Sequence, residues 1–350
     1  MKLKEHLKQF NRSLGRYALV STRWIISKLP YAAFRLFSSV FIAVGRPFIK
    51  KKQRLAMESL HIAFGKEKDE AEIRKIASAC FNNFGRGMID LIYFIDRPRK
   101  ISECVSIEGK EHLDKALAAG NGAILVSAHF GNFILMYMGI LQAGYKTNVI
   151  MRRTRDQTFE SYISGFRNEQ GLKTIYDLPP RQCVQQSIKA LRHNEVLFIL
   201  LDQNYGTDGR VFVDFFGQKA ATASGPVVFS KRTQSPILPV FIMREGGDRH
   251  KITIDPPVPL EKGRDEQEEI LLNVAKLTQL IEARIRQHPH EWGGWMHKRW
   301  KSRTRAEQII IDRMNEVRKR KEKIKKGRWI KTLRRKGILK RKKTRQRAAS

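Results

Sequence analysis

The segment Ala123–Phe133 has the sequence AILVSAHFGNF, and the fold predicted for this chain of 350 residues follows from it. Its first six residues form a short, continuous apolar run, which is typical of a strand buried on both faces of a parallel sheet. His129 follows directly, and Gly131 and Asn132 lead into an apolar segment, 133–141, that is predicted to be a helix. This junction places His129 at the carboxyl edge of an α/β sheet, where open sheets of this class bind their ligands.

Strand and helix patterns alternate along the rest of the chain. The further predicted strands are Thr147–Met151, Lys173–Tyr176, Val196–Leu201, Val211–Phe215, Ile237–Met243 and Lys251–Ile254. The predicted helices between and after them are Gln157–Glu169, Gln182–Arg192, Ala223–Arg232 and Glu266–His288. The first 100 residues are predicted to be mostly helical. The alternation predicts an α/β fold with a mostly parallel central sheet flanked by helices.

Three regions differ in composition. Residues 1–50 are predicted to form a helical, membrane-associating segment, residues 51–303 the α/β domain, and residues 304–350 a basic, disordered tail. Within the first region, the longest clean apolar run, 36–45, is about half of the roughly 20 residues that a spanning helix needs. An amphipathic helix in the membrane interface is therefore expected, and a helix that packs on the core is the alternative.

The formal net charge of +34 comes from 68 basic and 34 acidic residues, and the segment from Lys301 onward contributes 22 basic and 4 acidic ones. Such an excess predicts an anionic partner, such as an anionic membrane surface or an acidic protein. Nucleic acid is not expected as the main partner, because the tail lacks interleaved aromatic residues and any base-reading motif. The three cysteines and the histidines near residue 290 show no metal spacing, so neither a metal nor a cofactor is predicted.

Asp202 follows the predicted strand Val196–Leu201 as directly as His129 follows its own strand. Because parallel strands end at the same edge of a sheet, His129 and Asp202 are predicted to face one site. An imidazole there can remove a proton from an attacking alcohol. The alternative for His129 is a histidine whose hydrogen bonds serve only the fold.

Four linked segments resemble the late acyltransferases of lipid A biosynthesis, the lauroyl/myristoyl transferase family within the lysophospholipid acyltransferase superfamily. They occur in the family's order, and they are Ala123–Asn132, Leu201–Gly206, Val211–Thr222 and His288–Arg303. The resemblance implies transfer of a fatty acyl chain from acyl carrier protein or acyl-CoA to a hydroxyl of a lipid A precursor, a related glycolipid or a lysophospholipid. It also implies a location on the cytoplasmic face of the bacterial inner membrane.

The chain departs from this family's pattern at one position. The family's motif has an acidic residue five positions after the histidine, where this chain has Ile134. Either the protein is a catalytically inactive, acyltransferase-like lipid-binding protein, or another carboxylate orients His129. Asp202 is the first candidate for that carboxylate and Asp214 is the second.

Further polar residues are candidates for binding the substrates. Arg167 lies at about the spacing at which the family has an arginine that serves the active site. Arg152 and Arg153 follow a strand and can meet a phosphate group through paired hydrogen bonds. The backbone N–H groups near Phe130–Asn132, or a nearby cation, are expected to stabilise an oxyanion. Asn132 and Asp214 are further candidates, and an ordinary solvated surface is the alternative for the arginines.

Overall fold

The computed structural model describes residues 21, 24, 26, 28–95, 97–154, 157–206 and 209–302. The tail predicted at 304–350 lies outside these residues, as do the first 20 residues of the predicted N-terminal segment. The boundaries predicted at residues 50 and 303 stay predictions.

Helices dominate the described chain before residue 105, as the sequence predicts. They are α1 (Tyr31–Gly45), α2 (Lys50–Phe64), α3 (Glu70–Ile95) and α4 (Pro98–Cys104), and a 3₁₀ turn, Arg46–Ile49, joins the first two. One face of α1 packs on α3, where the rings of Phe34 and Tyr93 stack with centroids 4.5 Å apart. The other face exposes large apolar side chains, which are Leu36, Val40, Phe41 and Val44, and Phe48 continues them into the turn.

The apolar helical stretch near the N-terminus is longer than the apolar run at residues 36–45. The helical stretch Ala32–Phe64 has 33 residues and includes an 18-residue window with a mean hydropathy of 1.4, only 11% of which is buried. By length and composition it is sufficient to cross a membrane, a test that core helices and signal sequences also pass. Whether this helix lies in the membrane interface, as the sequence predicts, or spans the membrane stays a prediction.

A seven-stranded sheet and its flanking helices form the centre of the fold. The strands of the described chain are β1 (Val105–Glu108), β2 (Ala123–Ser127), β3 (Thr147–Met151), β4 (Lys173–Tyr176), β5 (Val196–Leu200), β6 (Arg210–Phe215), β7 (Gln218–Ala223), β8 (Ile237–Gly246) and β9 (Arg249–Ile254). The remaining helices are α5 (Lys110–Ala118), α6 (Phe133–Gln142), α7 (Gln157–Glu169), α8 (Pro180–Arg192), α9 (Gly225–Thr233) and α10 (Glu266–Gln287). The sheet order is β1-β9-β8-β2-β5-β3-β4, and β6 pairs with β7 in a separate hairpin.

All neighbours in the large sheet are parallel except β8 and β9, which are antiparallel. The predicted α/β class is therefore confirmed. Strand β2 is central and buried along its whole length, as its continuous apolar sequence predicts. Strands β8 and β9 run in opposite directions because Gly246 and Gly247, both at positive φ, allow a tight turn between them.

The structure corrects several sequence predictions. The helix predicted from Ala223 begins at Gly225, because Ala223 still pairs with Arg210 at the end of the hairpin. Strands β1 and β7 were not predicted. Two 3₁₀ turns, Pro289–Glu291 and Gly293–Met296, follow α10, and we call the segment 288–300 the cap. Its three tryptophans are buried in the fold; they are Trp292, Trp295 and Trp300.

Candidate active site

The backbone around His129 is fixed by both the sheet and the cap. Gly131 has a φ of +55°, and a Cβ atom there would lie 2.2 Å from the carbonyl oxygen of Ile242, so only glycine fits this turn. The N–H of Gly293, in the cap, donates a hydrogen bond of 2.8 Å to the carbonyl oxygen of His129. His129 therefore projects from a rigid junction between β2 and α6, and 22% of its side chain is exposed.

Asp202 occupies the equivalent position after the neighbouring strand. Ser127 and Leu200 are partners in the parallel register of β2 and β5, and His129 and Asp202 each lie two residues beyond them. Oδ1 of Asp202 is 2.8 Å from Nδ1 of His129. Oδ2 accepts a hydrogen bond of 3.0 Å from the backbone N–H of His129 and one of 2.6 Å from the indole N–H of Trp292. The structure thus brings together the two residues that the strand ends predict to share a site.

Asp202 is ionised at neutral pH. Its complete burial would raise its pKa, but the adjacent His129 and the hydrogen bonds from His129 and Trp292 hold the pKa at about 2. A carboxylate at Nδ1 requires that nitrogen to carry a hydrogen, which leaves Nε2 of the neutral ring as the acceptor. The pair is therefore arranged so that Nε2 can take a proton and the carboxylate can stabilise the resulting imidazolium.

The surroundings of the imidazole include residues that the sequence analysis did not single out. The amide nitrogen of Gln203 lies 3.0 Å from Nε2 of His129 and 3.4 Å from Nδ1. Phe133 contacts the ring edge-on with centroids 4.9 Å apart, and the His297 ring is 6.0 Å away. Burial lowers the pKa of His297, and the charges of Lys52 and His129 lower it further. Gln203 could have been predicted from the sequence as a residue of the same site, since it follows Asp202 directly.

Arg299 anchors the loop that carries Asp202 and Gln203. Its buried guanidinium donates to the carbonyl oxygens of Gln203 and Ala221, at 2.9 and 2.6 Å, and to the hydroxyl of Thr222 at 2.5 Å. It also lies over the ring of Phe215 at 5.0 Å. Burial lowers the pKa of Arg299 to about 10, so the group remains charged at neutral pH. One cationic side chain of the cap thus holds the 201–206 loop against the β6–β7 hairpin.

Arg167 is a buried residue rather than part of a solvated helix face. It forms an ion pair of 3.0 Å with Glu160, donates to the hydroxyl of Thr174 at 3.1 Å and contacts the sulfur of Met151. No contact within the described ranges joins it to His129. The structure therefore does not bring the predicted substrate-binding arginine to the imidazole.

Arg152 and Arg153 are exposed and lie near the carboxyl ends of β3 and β4. Arg152 pairs with Asp177 at 3.0 Å, and the Arg153 guanidinium lies over the ring of Tyr176 at 4.3 Å. Neither contacts His129 in the part of the chain that the structure describes. Their predicted role in substrate binding stays a prediction.

Asp214 and Asn132 have local structural roles. Oδ1 of Asp214 accepts the N–H of Gly217 at 2.9 Å in the turn of the hairpin, where Asp214 is exposed. The side-chain oxygen of Asn132 caps α6 by accepting the N–H of Leu135 at 3.2 Å, and its amide donates to the carbonyl oxygen of Gly87. Of the two carboxylates considered for His129, the structure places Asp202 beside the ring and Asp214 in this turn.

Two of the backbone N–H groups expected to stabilise an oxyanion already donate within the fold. That of Phe130 donates to the carbonyl oxygen of Ala128 at 2.7 Å, and that of Gly131 donates to the carbonyl oxygen of Glu291 at 2.9 Å. The role expected for the N–H groups near Phe130–Asn132 stays a prediction. Within the described ranges, no group of three or more His, Cys, Asp or Glu side chains is arranged to hold a metal ion.

An imidazole–carboxylate pair at the carboxyl edge of a mostly parallel sheet is a site suited to moving a proton during attack by a hydroxyl group. The sequence profile of the bacterial lipid A biosynthesis acyltransferases matches residues 2–302. The chain belongs to this family of acyltransferases, which confirms the resemblance seen in the four motifs.

Individual relatives cover most of the chain at low identity. The lipid A biosynthesis lauroyltransferase of Escherichia coli K12 is 24% identical over 291 residues, which are 81% of this chain and 90% of the relative. The lipid A biosynthesis palmitoleoyltransferase of the same organism is 24% identical over 293 residues, covering 82% and 91%. The phosphatidylinositol mannoside acyltransferase of Mycobacterium tuberculosis H37Rv is 29% identical over 195 residues, covering 53% and 57%.

A solved structure is also similar. The 1-acyl-sn-glycerophosphate acyltransferase PlsC from Thermotoga maritima is 14% identical, covers 76% of this chain and 97% of its own, and aligns with a TM-score of 0.35.

Proposed function

We propose that the protein transfers a fatty acyl chain from a carrier thioester to a hydroxyl of a lipid A precursor or related glycolipid, with His129 as the general base. The observation that carries this proposal is the 2.8 Å contact between Nδ1 of His129 and Oδ1 of Asp202. It directs Nε2 away from the carboxylate as a proton acceptor, at a sheet edge where α/β proteins bind substrates.

The reaction needs only groups that the chain and its two substrates provide. Nε2 of His129 takes the proton of the acceptor hydroxyl while the hydroxyl oxygen bonds to the thioester carbonyl carbon. The tetrahedral intermediate then expels the thiolate, which takes the proton back from the imidazolium. Asp202 stabilises the imidazolium between these two steps.

The same contact favours an active enzyme over the inactive lipid-binding alternative. Ile134 cannot accept a hydrogen bond from an imidazole, but Asp202 accepts one from Nδ1 and is itself held by Trp292. We propose that Asp202 does the work that the family's motif gives to the acidic residue after the histidine.

The names of the relatives support a glycolipid acceptor. Two of them are named for lipid A biosynthesis and one for acylation of phosphatidylinositol mannoside. A lysophospholipid is the alternative acceptor. The donor is acyl carrier protein or acyl-CoA, and the net charge of +34 suits the acidic carrier protein.

A membrane location fits the N-terminal helices. The apolar face of α1 is exposed, and Lys50, Lys51 and Lys52 follow it at the start of α2. An apolar face bordered by cations suits an anionic bilayer surface. We propose the cytoplasmic face of the bacterial inner membrane as the location, with the basic tail as an additional tether.

The direct test is acyl transfer by purified protein, followed by mass spectrometry. Acyl carrier protein and coenzyme A thioesters of one fatty acid are each incubated with a lipid A precursor and with a lysophospholipid. His129→Ala should lower turnover by about 10²–10⁴-fold, the range typical of a general base. The control is His193→Ala, an exposed histidine whose ring contacts the carbonyl oxygen of Lys189. The proposal would be contradicted if neither acceptor received an acyl chain. Near wild-type turnover in His129→Ala would also contradict it.

A further inference from the structure

The amide nitrogen of Gln203 lies beside the His129 ring, away from the lone-pair axis of Nε2. It is 3.0 Å from Nε2 and 3.4 Å from Nδ1, so it is almost equally far from the two ring nitrogens. A donor on the lone-pair axis of Nε2 would be much farther from Nδ1, because that axis points away from the ring. Gln203 therefore leaves the lone pair of Nε2 open to an acceptor hydroxyl and places an N–H group beside the point of attack.

The backbone of this loop is held by hydrogen bonds at alternate residues. Leu201 donates to the carbonyl oxygen of Ser127 at 2.9 Å, and Tyr205 donates to that of Ala221 at 3.1 Å. Between them, Arg299 holds the carbonyl oxygen of Gln203 at 2.9 Å. A donor on a loop fixed in this way needs little reorganisation when negative charge develops next to it.

The reaction requires such a donor. Attack on the thioester turns the carbonyl oxygen into an oxyanion, and the N–H groups of His129, Phe130 and Gly131 are bonded to Asp202, Ala128 and Glu291. We propose that the side-chain amide of Gln203 donates a hydrogen bond to this oxyanion and so acts as a further catalytic residue. This proposal rests on the acyl transfer proposed above.

Gln203 changes no covalent bond in this scheme. The hydroxyl oxygen bonds to the carbonyl carbon, the electron pair of the C=O double bond moves to oxygen, and Nε2 of His129 takes the hydroxyl proton. Collapse of the intermediate restores the C=O bond and breaks the C–S bond. The amide N–H of Gln203 stabilises the oxyanion between the two events.

Gln203→Met tests the proposal, since methionine keeps the length of the side chain and removes the donor. The kcat for acyl transfer should fall by about 10²–10³-fold, the effect of losing one oxyanion donor, while KM for donor and acceptor changes little. Gln218→Met, the same change at an exposed position in the hairpin, should keep wild-type kcat. Gln203→Ala repeats the test if the Met variant does not fold, as judged by its thermal melting curve.

Two further readouts separate an oxyanion donor from a residue that only positions His129. The pH profile of kcat/KM should fall in height at every pH, whereas a residue acting through the basicity of His129 would shift its midpoint. Hydrolysis of the thioester by water, without acceptor, should fall by the same factor as transfer, because it forms the same oxyanion. A wild-type kcat in Gln203→Met, or a shifted midpoint with an unchanged plateau, would overturn this proposal alone. Absence of transfer by the unaltered protein would instead overturn the proposed function.

Discussion

The indole Nε1 of Trp292 donates a hydrogen bond of 2.6 Å to Oδ2 of Asp202, a residue 90 positions earlier in the chain. The other carboxylate oxygen, Oδ1, faces the ring of His129. The cap thus donates a hydrogen bond to the buried carboxylate of Asp202, which would have one donor fewer from the sheet alone. This contact links the stability of the cap to the ionisation of the site.

Trp292→Phe removes this donor together with part of a buried ring. A hydrogen bond to a charged group contributes about 1.5–3 kcal/mol, so the free energy of unfolding in urea should fall by about that amount in addition to the loss of packing. Trp295→Phe is the matched control, because Trp295 is equally buried and its indole donates to the uncharged carbonyl oxygen of Pro289. With a similar loss of packing, its lost hydrogen bond should cost only about 0.5–1.5 kcal/mol. Equal losses in the two variants would show that the charge of Asp202 does not matter to this contact.

Asp202 should also make stability depend on pH in the acid range. Its pKa in the folded protein is about 2, below the ordinary value of 3.8, so protonation favours the unfolded chain. Its contribution to stability is therefore complete above about pH 4 and is lost as the pH falls toward 2. The difference in unfolding free energy between the wild type and Asp202→Asn should shrink over that range. A difference that stays constant from pH 5 to pH 2 would contradict the depressed pKa.

Arg299→Met should destabilise the protein strongly. The substitution leaves two buried carbonyl oxygens and the hydroxyl of Thr222 without their charged donor, at a cost of about 3 kcal/mol or more in unfolding free energy. Arg299→Lys should recover only part of this loss, because an ammonium group cannot reproduce the planar arrangement of donors. Arg264→Met, at an exposed ion pair, is the control and should leave the unfolding free energy almost unchanged. A loss at Arg299 no larger than the loss at Arg264 would contradict the anchoring role.

The exposed face of α1 should govern membrane binding. Replacing Leu36, Val40 and Val44 together with glutamine should reduce flotation with anionic liposomes, because each substitution removes apolar surface from the contact. Hydrolysis of a soluble thioester should be unaffected. The control replaces Leu271 and Leu280, which are exposed on α10, with glutamine. Flotation that is unchanged by the α1 variant would move the membrane contact elsewhere.

The sequence was sufficient to predict the juxtaposition at the centre of the site. His129 and Asp202 each follow a continuous apolar run, and parallel strands end at the same edge, so their proximity needed only local patterns and one rule of topology. The α/β class was predicted in the same way, from the alternation of strand and helix patterns along the chain. The turn at Gly246 and Gly247 was a local signal for the antiparallel pair β8 and β9, but the two strands were predicted without a direction.

The contacts of the cap could not be predicted from local patterns. Trp292 reaches Asp202 and Arg299 reaches Gln203 across 90 and 96 positions of sequence. Nothing in the composition of the segment 288–300 distinguishes a buried cap from a membrane-facing surface, since tryptophan and arginine are common in both. The burial of Arg167 could not be predicted either, because its contacts with Met151 and Thr174 depend on how α7 packs on β3 and β4.

If Asp202 orients His129 for acyl transfer, the turnover of Asp202→Asn must show it. Asparagine keeps the shape of the side chain but removes the charge that selects the tautomer and stabilises the imidazolium, so kcat should fall by at least about 10²-fold. Asp114→Asn, an exposed aspartate bonded to Tyr145, controls for the loss of one carboxylate and should keep wild-type kcat. A fall confined to Asp202→Asn is the predicted result. Full turnover in Asp202→Asn would contradict the account.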